Sequence, residues 1–357
     1  MNLFNEPEDD LIEETVAAGA KPAGGAALLP PRQNPLCLGH EIVEKTILDM
    51  HAQGRMPHAL IFAGPQGIGK STQAFCLAKK LLKEEKLVSS GGHPDLLFVE
   101  RQFDEKKGRR KESVDVEEVR RVAPFMRKTA SLGGWRIVIV DDADTMTRSA
   151  QNALLKILEE PPPQALLILI AHRPGALIPT IRSRARVFPF MPPEKTVFHD
   201  LIRRENPQLS GSDVATLHAI TAGSVGQGPA LLEEGGLEAV YKVVGLLNTW
   251  PDWDWKPIHG LADNLSKPGQ EGNLKAFAHV FLWAIRAVTR AKARGESPPA
   301  PLDTDVIRSM VERFSLEDWS HLGEMIQTHF DTAHFANLDR KQTVIGAFSC
   351  ISTKDAA

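Results

Sequence analysis

The sequence has few cysteines and no long apolar run, and both absences exclude classes of protein. Its three cysteines, in 357 residues, are Cys37, Cys76 and Cys350, and their scattered spacing fits neither a metal-ligand set nor a disulfide framework. No apolar stretch is long enough to span a bilayer. We therefore expect a cytoplasmic protein that has no zinc site and does not act at a membrane.

A strong charge of either sign is also missing. The formal net charge is −3 at pH 7, which argues against a dedicated high-affinity nucleic-acid-binding domain but permits a local basic patch. One such patch, RQFDEKKGRRK, spans residues 101–111. Two interpretations of it stay open: a solvated hairpin or loop, and a segment that adds a few contacts to nucleic-acid phosphates.

The first 33 residues have a composition that cannot form a packed core. They begin with acidic residues, which does not fit a secretory signal or an Arg-rich transit peptide, and continue with alanine, glycine and proline. Such a composition buries too little apolar surface to offset the loss of chain entropy. We expect residues 1–33 to be a disordered leader.

The most informative stretch is IFAGPQGIGKS, residues 61–71, which contains the complete phosphate-binding pattern G-x-x-x-x-G-K-[ST]. Lys70 is expected to reach the β- and γ-phosphates of a nucleotide, and Ser71 to place its hydroxyl on Mg²⁺. The alternative is a glycine-rich turn between a strand and a helix that holds no ligand. The glycines expected to turn the backbone N–H groups towards phosphate are Gly64, Gly67 and Gly69.

A second buried strand ends in carboxylates. The run RIVIV, residues 136–140, is followed by Asp141 and Asp142. In open α/β sheets ligands lie at the carboxyl edge of the strands, so Asp141 is expected to hold the Mg²⁺ of a bound nucleotide, directly or through water. Alone, Asp141 could equally cap the following turn, and the phosphate loop upstream favours the metal interpretation.

Strand and helix signals alternate along the first half of the chain, which predicts an α/β fold with a parallel sheet and helices on both faces. Beyond Pro193 the pattern becomes helical, with three short helices and then a long helical region from about residue 237 to residue 352. The strands predicted in the first half span residues 59–63, 96–99, 136–140 and 166–171, with a further strand near 186–188.

One segment indicates which family of nucleotide-binding proteins the chain resembles. MTRSAQNALLKILEEPP, residues 146–162, closely resembles the signature helix of clamp-loader subunits of the AAA+ family. The stretches at 38–40, 93–95 and 181–186 fit the same family, and the best match is to a subunit of the bacterial DNA polymerase III clamp loader. The resemblance is dense from about residue 34 to residue 190.

The resemblance implies an architecture and a set of partners. An AAA+ nucleotide-binding domain (residues 34–192) would be followed by a small helical lid (193–235) and an all-α collar (236–357) that assembles a hetero-oligomer. ATP or ADP with Mg²⁺ would be the cofactor. The partners would be the gamma/tau and delta subunits, the sliding clamp and primed DNA. Many relatives carry a four-cysteine zinc module, but residues 83–94 contain no cysteine.

Three departures from the family pattern concern hydrolysis. Active members carry Asp-Glu where this chain has Asp141-Asp142, and a lid Arg where it has Gly226. They also place a Thr at the end of the fourth strand, where this chain reads Ala171-His172-Arg173-Pro174. Phosphoryl transfer depends on positioning and charge stabilisation, so these changes together should slow it severely. We predict nucleotide binding with weak or no hydrolysis.

One catalytic element is retained. The family implies that Arg184, in the Ser183-Arg184 pair, acts as an arginine finger in the ATP site of a neighbouring subunit. The alternative for Arg184 is a surface salt bridge, worth under about 1 kcal/mol. Two other functions for the whole chain also stay open, namely an active AAA+ motor subunit and a nucleotide-free scaffold. A small-molecule kinase would leave the helical region unexplained.

Overall fold

A computed structural model describes residues 29–105, 109–336 and 338–355 of the chain. Most of the predicted leader lies outside these ranges. The residues at its end, Pro31–Gln33, form one turn of 3-10 helix. The centre of the basic patch, residues 106–108, also lies outside the described residues.

Five parallel strands form the central sheet. Among the described residues, the strands in chain order are β1 (Ala59–Ala63), β2 (Leu96–Val99), β3 (Phe103–Asp104), β4 (Arg109–Arg110), β5 (Arg136–Val140), β6 (Ala165–Ala171) and β7 (Arg186–Pro189). The sheet order is β2-β5-β6-β1-β7, and β3 and β4 form a separate antiparallel pair. Every residue of β1, β5 and β6 is buried, as continuous apolar strands require when helices cover both faces. The predicted parallel α/β sheet is confirmed.

In the part of the chain that the structure describes, seven α-helices accompany the sheet. They are α1 (Glu41–Ala52), α2 (Lys70–Leu82), α3 (Glu85–Ser90), α4 (Val116–Arg120), α5 (Val122–Arg127), α6 (Arg148–Glu159) and α7 (Pro179–Arg182). Side chains alternate along β1, so Leu60 and Phe62 pack in a core with α1 and α2, whereas Ile61 packs with α4, α5 and α6. The α6 helix begins where the Thr147 hydroxyl accepts a hydrogen bond from the N–H of Ala150.

The second half of the chain is helical. Its helices are α8 (Lys195–Glu205), α9 (Gly211–Ile220), α10 (Gln227–Glu233), α11 (Gly236–Leu247), α12 (Trp255–Leu265), α13 (Glu271–Arg294), α14 (Asp305–Arg313), α15 (Leu316–Phe335) and α16 (Arg340–Asp355). One hydrophobic cluster runs through them from Phe198 to Ile351. The division of this half into a lid and a collar therefore stays a prediction. No helix in the part of the chain that the structure describes is long and apolar enough to cross a membrane.

The strand order brings three chain segments together at one edge of the sheet. The phosphate loop follows β1, Asp141 follows β5 and His172 follows β6, and these strands are neighbours in the order β5-β6-β1. Ala63 pairs with Ala171 at the ends of β1 and β6, and the N–H of Gly64 bonds the carbonyl of Ala171 at 3.2 Å. The carboxyl edge of the sheet is therefore where the site residues meet.

Replacing Phe281 by Ala tests whether the helical core is as closely packed as its aromatic contacts indicate. The Phe281 ring is fully buried, and its centroid lies 5.0 Å from that of Phe348 and 5.6 Å from that of Phe277. Because the cavity would remain largely unfilled, we expect a loss of about 3–5 kcal/mol in the free energy of unfolding, measured in urea. Phe103→Ala, at a ring that is mostly exposed, is the matched control and should cost less than about 1 kcal/mol.

Candidate functional site

The phosphate loop connects β1 to the first residue of α2. Two of its glycines adopt backbone angles that other residues rarely adopt, with φ of 74° at Gly67 and 99° at Gly69. Gly69 caps α2, and a Cβ on Gly67 would lie 2.3 Å from the hydroxyl oxygen of Ser224. The loop therefore has the strand–turn–helix shape that its sequence pattern requires, with glycine where turning and close approach demand it.

Residues before β1 support this loop. The buried ring of His40 donates from Nε2 to the carbonyl of Ile68 at 2.6 Å and packs 4.7 Å from the Phe190 ring. The thiol of Cys37 lies 3.4 Å from the carbonyl oxygen of Gly69. Sequence analysis linked His40 only to the family pattern. Its contact with the loop gives it a structural role that spacing alone does not predict.

Lys70 lies buried at the centre of the site, with 3% of its surface exposed. Its ammonium group bonds the carbonyl of Gly64 at 2.7 Å, the carbonyl of Pro65, and Nδ1 of His172 at 2.8 Å. An ammonium has three hydrogens, so these three acceptors use all of them. Any further acceptor must displace one of the three.

Burial lowers the pKa of Lys70 to about 8, even though nearby carboxylates raise it in opposition. The carboxylates concerned belong to Asp141, Asp144 and Asp142, in order of their effect. Since this pKa stays above 7, Lys70 is mostly charged at neutral pH. A buried cation of this kind, close to several carboxylates, is typical of a functional site.

A chain of hydrogen bonds continues from Lys70 through His172 to Asp142 and Arg101. A charged lysine can only donate, so Nδ1 of His172 accepts and the ring proton resides on Nε2. Nε2 donates to Oδ1 of Asp142 at 2.7 Å, and Nε of Arg101 donates to Oδ2 of Asp142 at 2.6 Å. We call these residues the Lys70–Arg101 chain. Its bonding order fixes the tautomer of His172.

The two adjacent carboxylates at the end of β5 are in different environments. Burial raises the pKa of Asp142, but the bonds from His172 and Arg101 outweigh it and hold this pKa below its usual value. The pKa of Asp141 is raised, first by burial and then by the charge of Asp142. Both carboxylate oxygens of Asp142 thus accept hydrogen bonds from side chains of the protein, whereas Asp141 accepts fewer such bonds.

Ser71 and Asp141 lie side by side, as their predicted shared role requires. Oγ of Ser71 is buried and meets no hydrogen-bond partner among the described residues, although it is close enough to Asp141 to lower the pKa of that carboxyl slightly. A buried hydroxyl oxygen without a partner, beside a carboxylate, matches the oxygen ligands that Mg²⁺ prefers. One possible ligand atom from each of Asp141, Asp142 and His172 lies within 4.8 Å of the other two, which is close enough for the three residues to share a metal ion.

Asp144 is a site residue that sequence analysis missed. Its buried carboxylate accepts from the N–H of His172 at 2.9 Å and from the N–H of Arg173 at 3.1 Å. It therefore fixes the backbone at the end of β6, and with it the position of the His172 ring. The only sequence signal was the third acid in the run Asp-Asp-Ala-Asp.

The short segment before α10 contacts the phosphate loop directly. The Ser224 hydroxyl donates to the carbonyl of Gln66 at 2.8 Å, and the N–H of Gly226 donates to the carbonyl of Gly67 at 2.7 Å. A Cβ on Gly226 would lie only 3.0 Å from Cα of Gly67. Ser224 and Gly226 therefore hold this segment directly against the phosphate loop.

Arg184 lies outside this cluster. Its guanidinium bonds the carbonyl of Thr180 at 3.2 Å and pairs with the Glu159 carboxylate at 3.1 Å, at the end of α6. The structure thus brings the loop, Ser71 and Asp141 together, but it places Arg184 away from them, beside Glu159 at the end of α6. Arg184 remains partly exposed there.

The basic patch at 101–111 is largely paired with carboxylates where the structure describes it. Arg101 bonds Asp142, Arg110 contacts Glu100, and Lys111 lies 3.0 Å from a carboxylate oxygen of Asp115. These pairs give the patch a role within the fold. The prediction of a nucleic-acid contact stays untested.

Comparison with known proteins identifies the sequences that this chain is similar to. The profile of a family described as DNA polymerase III, delta subunit, matches residues 39–194. DNA polymerase III subunit delta' of Escherichia coli is 31% identical over 241 residues, which cover 64% of this chain and 70% of the relative. The subunit delta' of Pseudomonas aeruginosa is 39% identical over 140 residues, which cover 36% of this chain and 41% of the relative.

A third similar protein has a different name. The replication factor C small subunit of Staphylothermus marinus is 34% identical over 206 residues, which cover 54% of this chain and 57% of the relative. The alignments with this protein and with the Pseudomonas subunit thus span less than two thirds of the relatives' own length.

Replacing Asp144 by Ala tests its role in holding the end of β6. The change leaves two backbone N–H groups without their acceptor, so we expect the free energy of unfolding to fall by about 2–4 kcal/mol, measured in denaturant. Asp252→Ala, in an exposed loop, is the matched control and should change stability by less than about 0.5 kcal/mol. Equal stability of the two variants would contradict the assigned role of Asp144.

Proposed function

This chain belongs to the delta-prime family of DNA polymerase III clamp-loader subunits, and we propose that it binds ATP or ADP with Mg²⁺ and hydrolyses nucleotide weakly or not at all. In this proposal it acts within the assembled loader, beside the gamma/tau and delta subunits. There it helps to open the sliding clamp and to place it on primed DNA.

The observation that carries nucleotide binding is the buried Lys70 ammonium beside the unpaired Ser71 hydroxyl. The loop backbone supplies N–H groups for phosphate oxygens, and α2 directs its positive end towards the same place. Ser71 and Asp141 would hold Mg²⁺, which neutralises phosphate charge when it is bound. Burial and the neighbouring Asp142 charge raise the pKa of Asp141, and a cation bound beside it would stabilise its charged form.

Weak hydrolysis follows from the partners of Asp142. A general base must reach the proton that it removes, and both oxygens of Asp142 are held by His172 and Arg101. Nor does Gly226 supply the positive charge that an arginine would bring to the transferred phosphate. The site therefore retains its binding groups and lacks groups that hydrolysis needs.

The test is the binding of a fluorescent ATP analogue and steady-state hydrolysis by the whole chain with Mg²⁺. Lys70→Ala should weaken binding at least about tenfold, because it removes a charged hydrogen-bond donor. Lys80→Ala, on the exposed face of the same helix, is the matched control and should bind as the unchanged chain does. Hydrolysis should be close to background in all three.

Other outcomes would favour the other functions. Brisk hydrolysis abolished by Lys70→Ala would favour an active motor subunit. Binding of no nucleotide by the folded chain would favour a scaffold with an inherited but unused loop.

We further propose that Arg184 completes the ATP site of a neighbouring subunit as an arginine finger. Its contacts with Glu159 and the Thr180 carbonyl hold the guanidinium at a partly exposed position, away from the Lys70 site of its own chain. An ion pair this exposed is weak, so Arg184 can exchange Glu159 for a phosphate without a large cost.

Arg184→Ala should reduce hydrolysis at the neighbouring site by a factor on the order of 10³–10⁵, because the transition state loses a positive charge. The measurement is DNA-dependent ATPase activity of the assembled clamp loader. Arg182→Ala, an exposed arginine two residues away, is the matched control and should leave the rate within about twofold. An unchanged rate in a correctly assembled Arg184→Ala loader would remove the finger assignment.

A further inference from the structure

Two carbonyl groups of the phosphate loop are held by the second, helical half of the chain. The Ser224 hydroxyl donates to the carbonyl of Gln66 at 2.8 Å, and the N–H of Gly226 donates to the carbonyl of Gly67 at 2.7 Å. The donors lie more than 150 residues from the loop in the sequence and follow α9. The loop is therefore shaped by a part of the chain outside the sheet domain.

These two bonds also fix the direction of backbone N–H groups in the loop. A trans peptide unit is planar, so its carbonyl and its N–H point in opposite directions. The carbonyl of Gln66 shares a unit with the N–H of Gly67, and the carbonyl of Gly67 shares a unit with the N–H of Ile68. Ser224 and Gly226 therefore turn both N–H groups away from themselves.

The next peptide unit of the loop is held in the same way. Nε2 of His40 donates to the carbonyl of Ile68 at 2.6 Å, which directs the N–H of Gly69. Left-handed backbone at Gly67 and Gly69, on either side of Ile68, gives the alternating conformation in which successive N–H groups form a nest for an anion. Both glycines are partly exposed, and their N–H groups meet no acceptor among the described residues.

A bound phosphate leaves the bonds from Ser224 and Gly226 in place. Phosphate oxygens accept hydrogen bonds, so they take the N–H side of a peptide unit, whereas Ser224 and Gly226 donate to its carbonyl side. N–H groups that already point in one direction lose less conformational freedom when a ligand binds, which strengthens binding. The outer bonds of the loop thus favour phosphate binding without competing for the phosphate.

The Ser224 hydroxyl is itself held by the packing of the helical half. Ser224 is 2% exposed and lies in a turn with left-handed backbone at Ala222 and Gly223, whose φ angles are 49° and 78°. At the start of this turn, Nε1 of Trp283 on α13 donates to the carbonyl of Ala219 at 3.0 Å. The position of the hydroxyl therefore depends on how α9 packs against α13.

We propose that Ser224 is a positioning residue, through which the helical half of the chain orients the phosphate-binding N–H groups of the loop. The inference rests on the proposed nucleotide binding and goes beyond it by naming a residue that acts on the ligand through the loop backbone. Because these N–H groups meet only the phosphate part of a nucleotide, inorganic pyrophosphate is bound by the same groups.

The test measures the affinity of the whole chain for ADP by calorimetry and for pyrophosphate by displacement of a fluorescent ADP analogue, each with Mg²⁺. Ser224→Ala removes the donor that orients the Gln66–Gly67 peptide unit. We expect both affinities to fall by the same factor, about fivefold to tenfold. Ser297→Ala, at an exposed serine between α13 and α14, is the matched control and should keep both affinities.

A second variant separates the hydrogen bond from the packing of the side chain. Ser224→Cys keeps a side chain of similar size, but a thiol is only a weak donor. It should therefore bind ADP and pyrophosphate about as weakly as Ser224→Ala. Circular dichroism spectra like that of the unchanged chain show that both variants are folded.

A third variant displaces the neighbouring peptide unit without touching Ser224. The φ of Gly226 is −70°, so alanine fits its backbone, but the added Cβ would lie 3.0 Å from Cα of Gly67 and 3.1 Å from its carbonyl oxygen. The loop must shift to relieve this crowding. Gly226→Ala should therefore weaken the binding of both ligands by a common factor.

Four results would overturn the proposal while nucleotide binding itself stands. Ser224→Ala could keep both affinities within about twofold, or lose affinity for ADP alone, which would place the effect of Ser224 on the nucleoside. Ser224→Cys could bind as tightly as the unchanged chain, which would leave only a packing role. The unchanged chain could bind ADP but no pyrophosphate. If the folded, unchanged chain binds neither ligand, the proposed function itself fails.

Discussion

The buried charge of Lys70 determines how the carboxyl edge of the sheet is built. An ammonium removed from water is costly unless acceptors surround it, and here burial lowers its pKa to about 8. Two loop carbonyls and the His172 ring accept its three hydrogen bonds. The negative charges of three aspartates also stabilise the charged ammonium. The loop, the end of β5 and the end of β6 must therefore lie together for the charge to be tolerated.

One strand end supplies three acids with three different tasks. Asp142 accepts from His172 and Arg101, and Asp144 accepts from two backbone N–H groups. Asp141 is left beside the Ser71 hydroxyl, and its raised pKa reflects burial next to a second carboxylate. All three acids lie in one short turn after β5. Their different hydrogen-bond partners, and not their positions in the sequence, therefore give them different roles.

Periodicity and motif spacing predicted the strands and the phosphate loop because those features are encoded locally. The family resemblance carried by residues 146–162 is likewise confirmed. The Lys70–Arg101 chain could not be predicted, because its bonds join residues 41, 30 and 102 positions apart in the sequence. His172 was recognised only as a departure from a family pattern, since a sequence gives no information on which ring nitrogen faces a lysine. The same limit applies to Arg184 and Glu159, which meet only because α7 packs beside α6.

Two of the three departures from the family's hydrolytic pattern, at Asp142 and His172, depend on each other in the folded chain. His172 needs the acceptor that Asp142 provides, and Asp142 stays charged because Arg101 and His172 donate to it. Gly226 allows its N–H to bond the loop at Gly67, in a space where even a Cβ would be crowded. Replacing either His172 or Asp142 alone would break the hydrogen bond between them, whereas the Gly226 contact with Gly67 is separate. The family pattern is thus altered at two independent places around the loop, and a single substitution is not expected to recover hydrolysis.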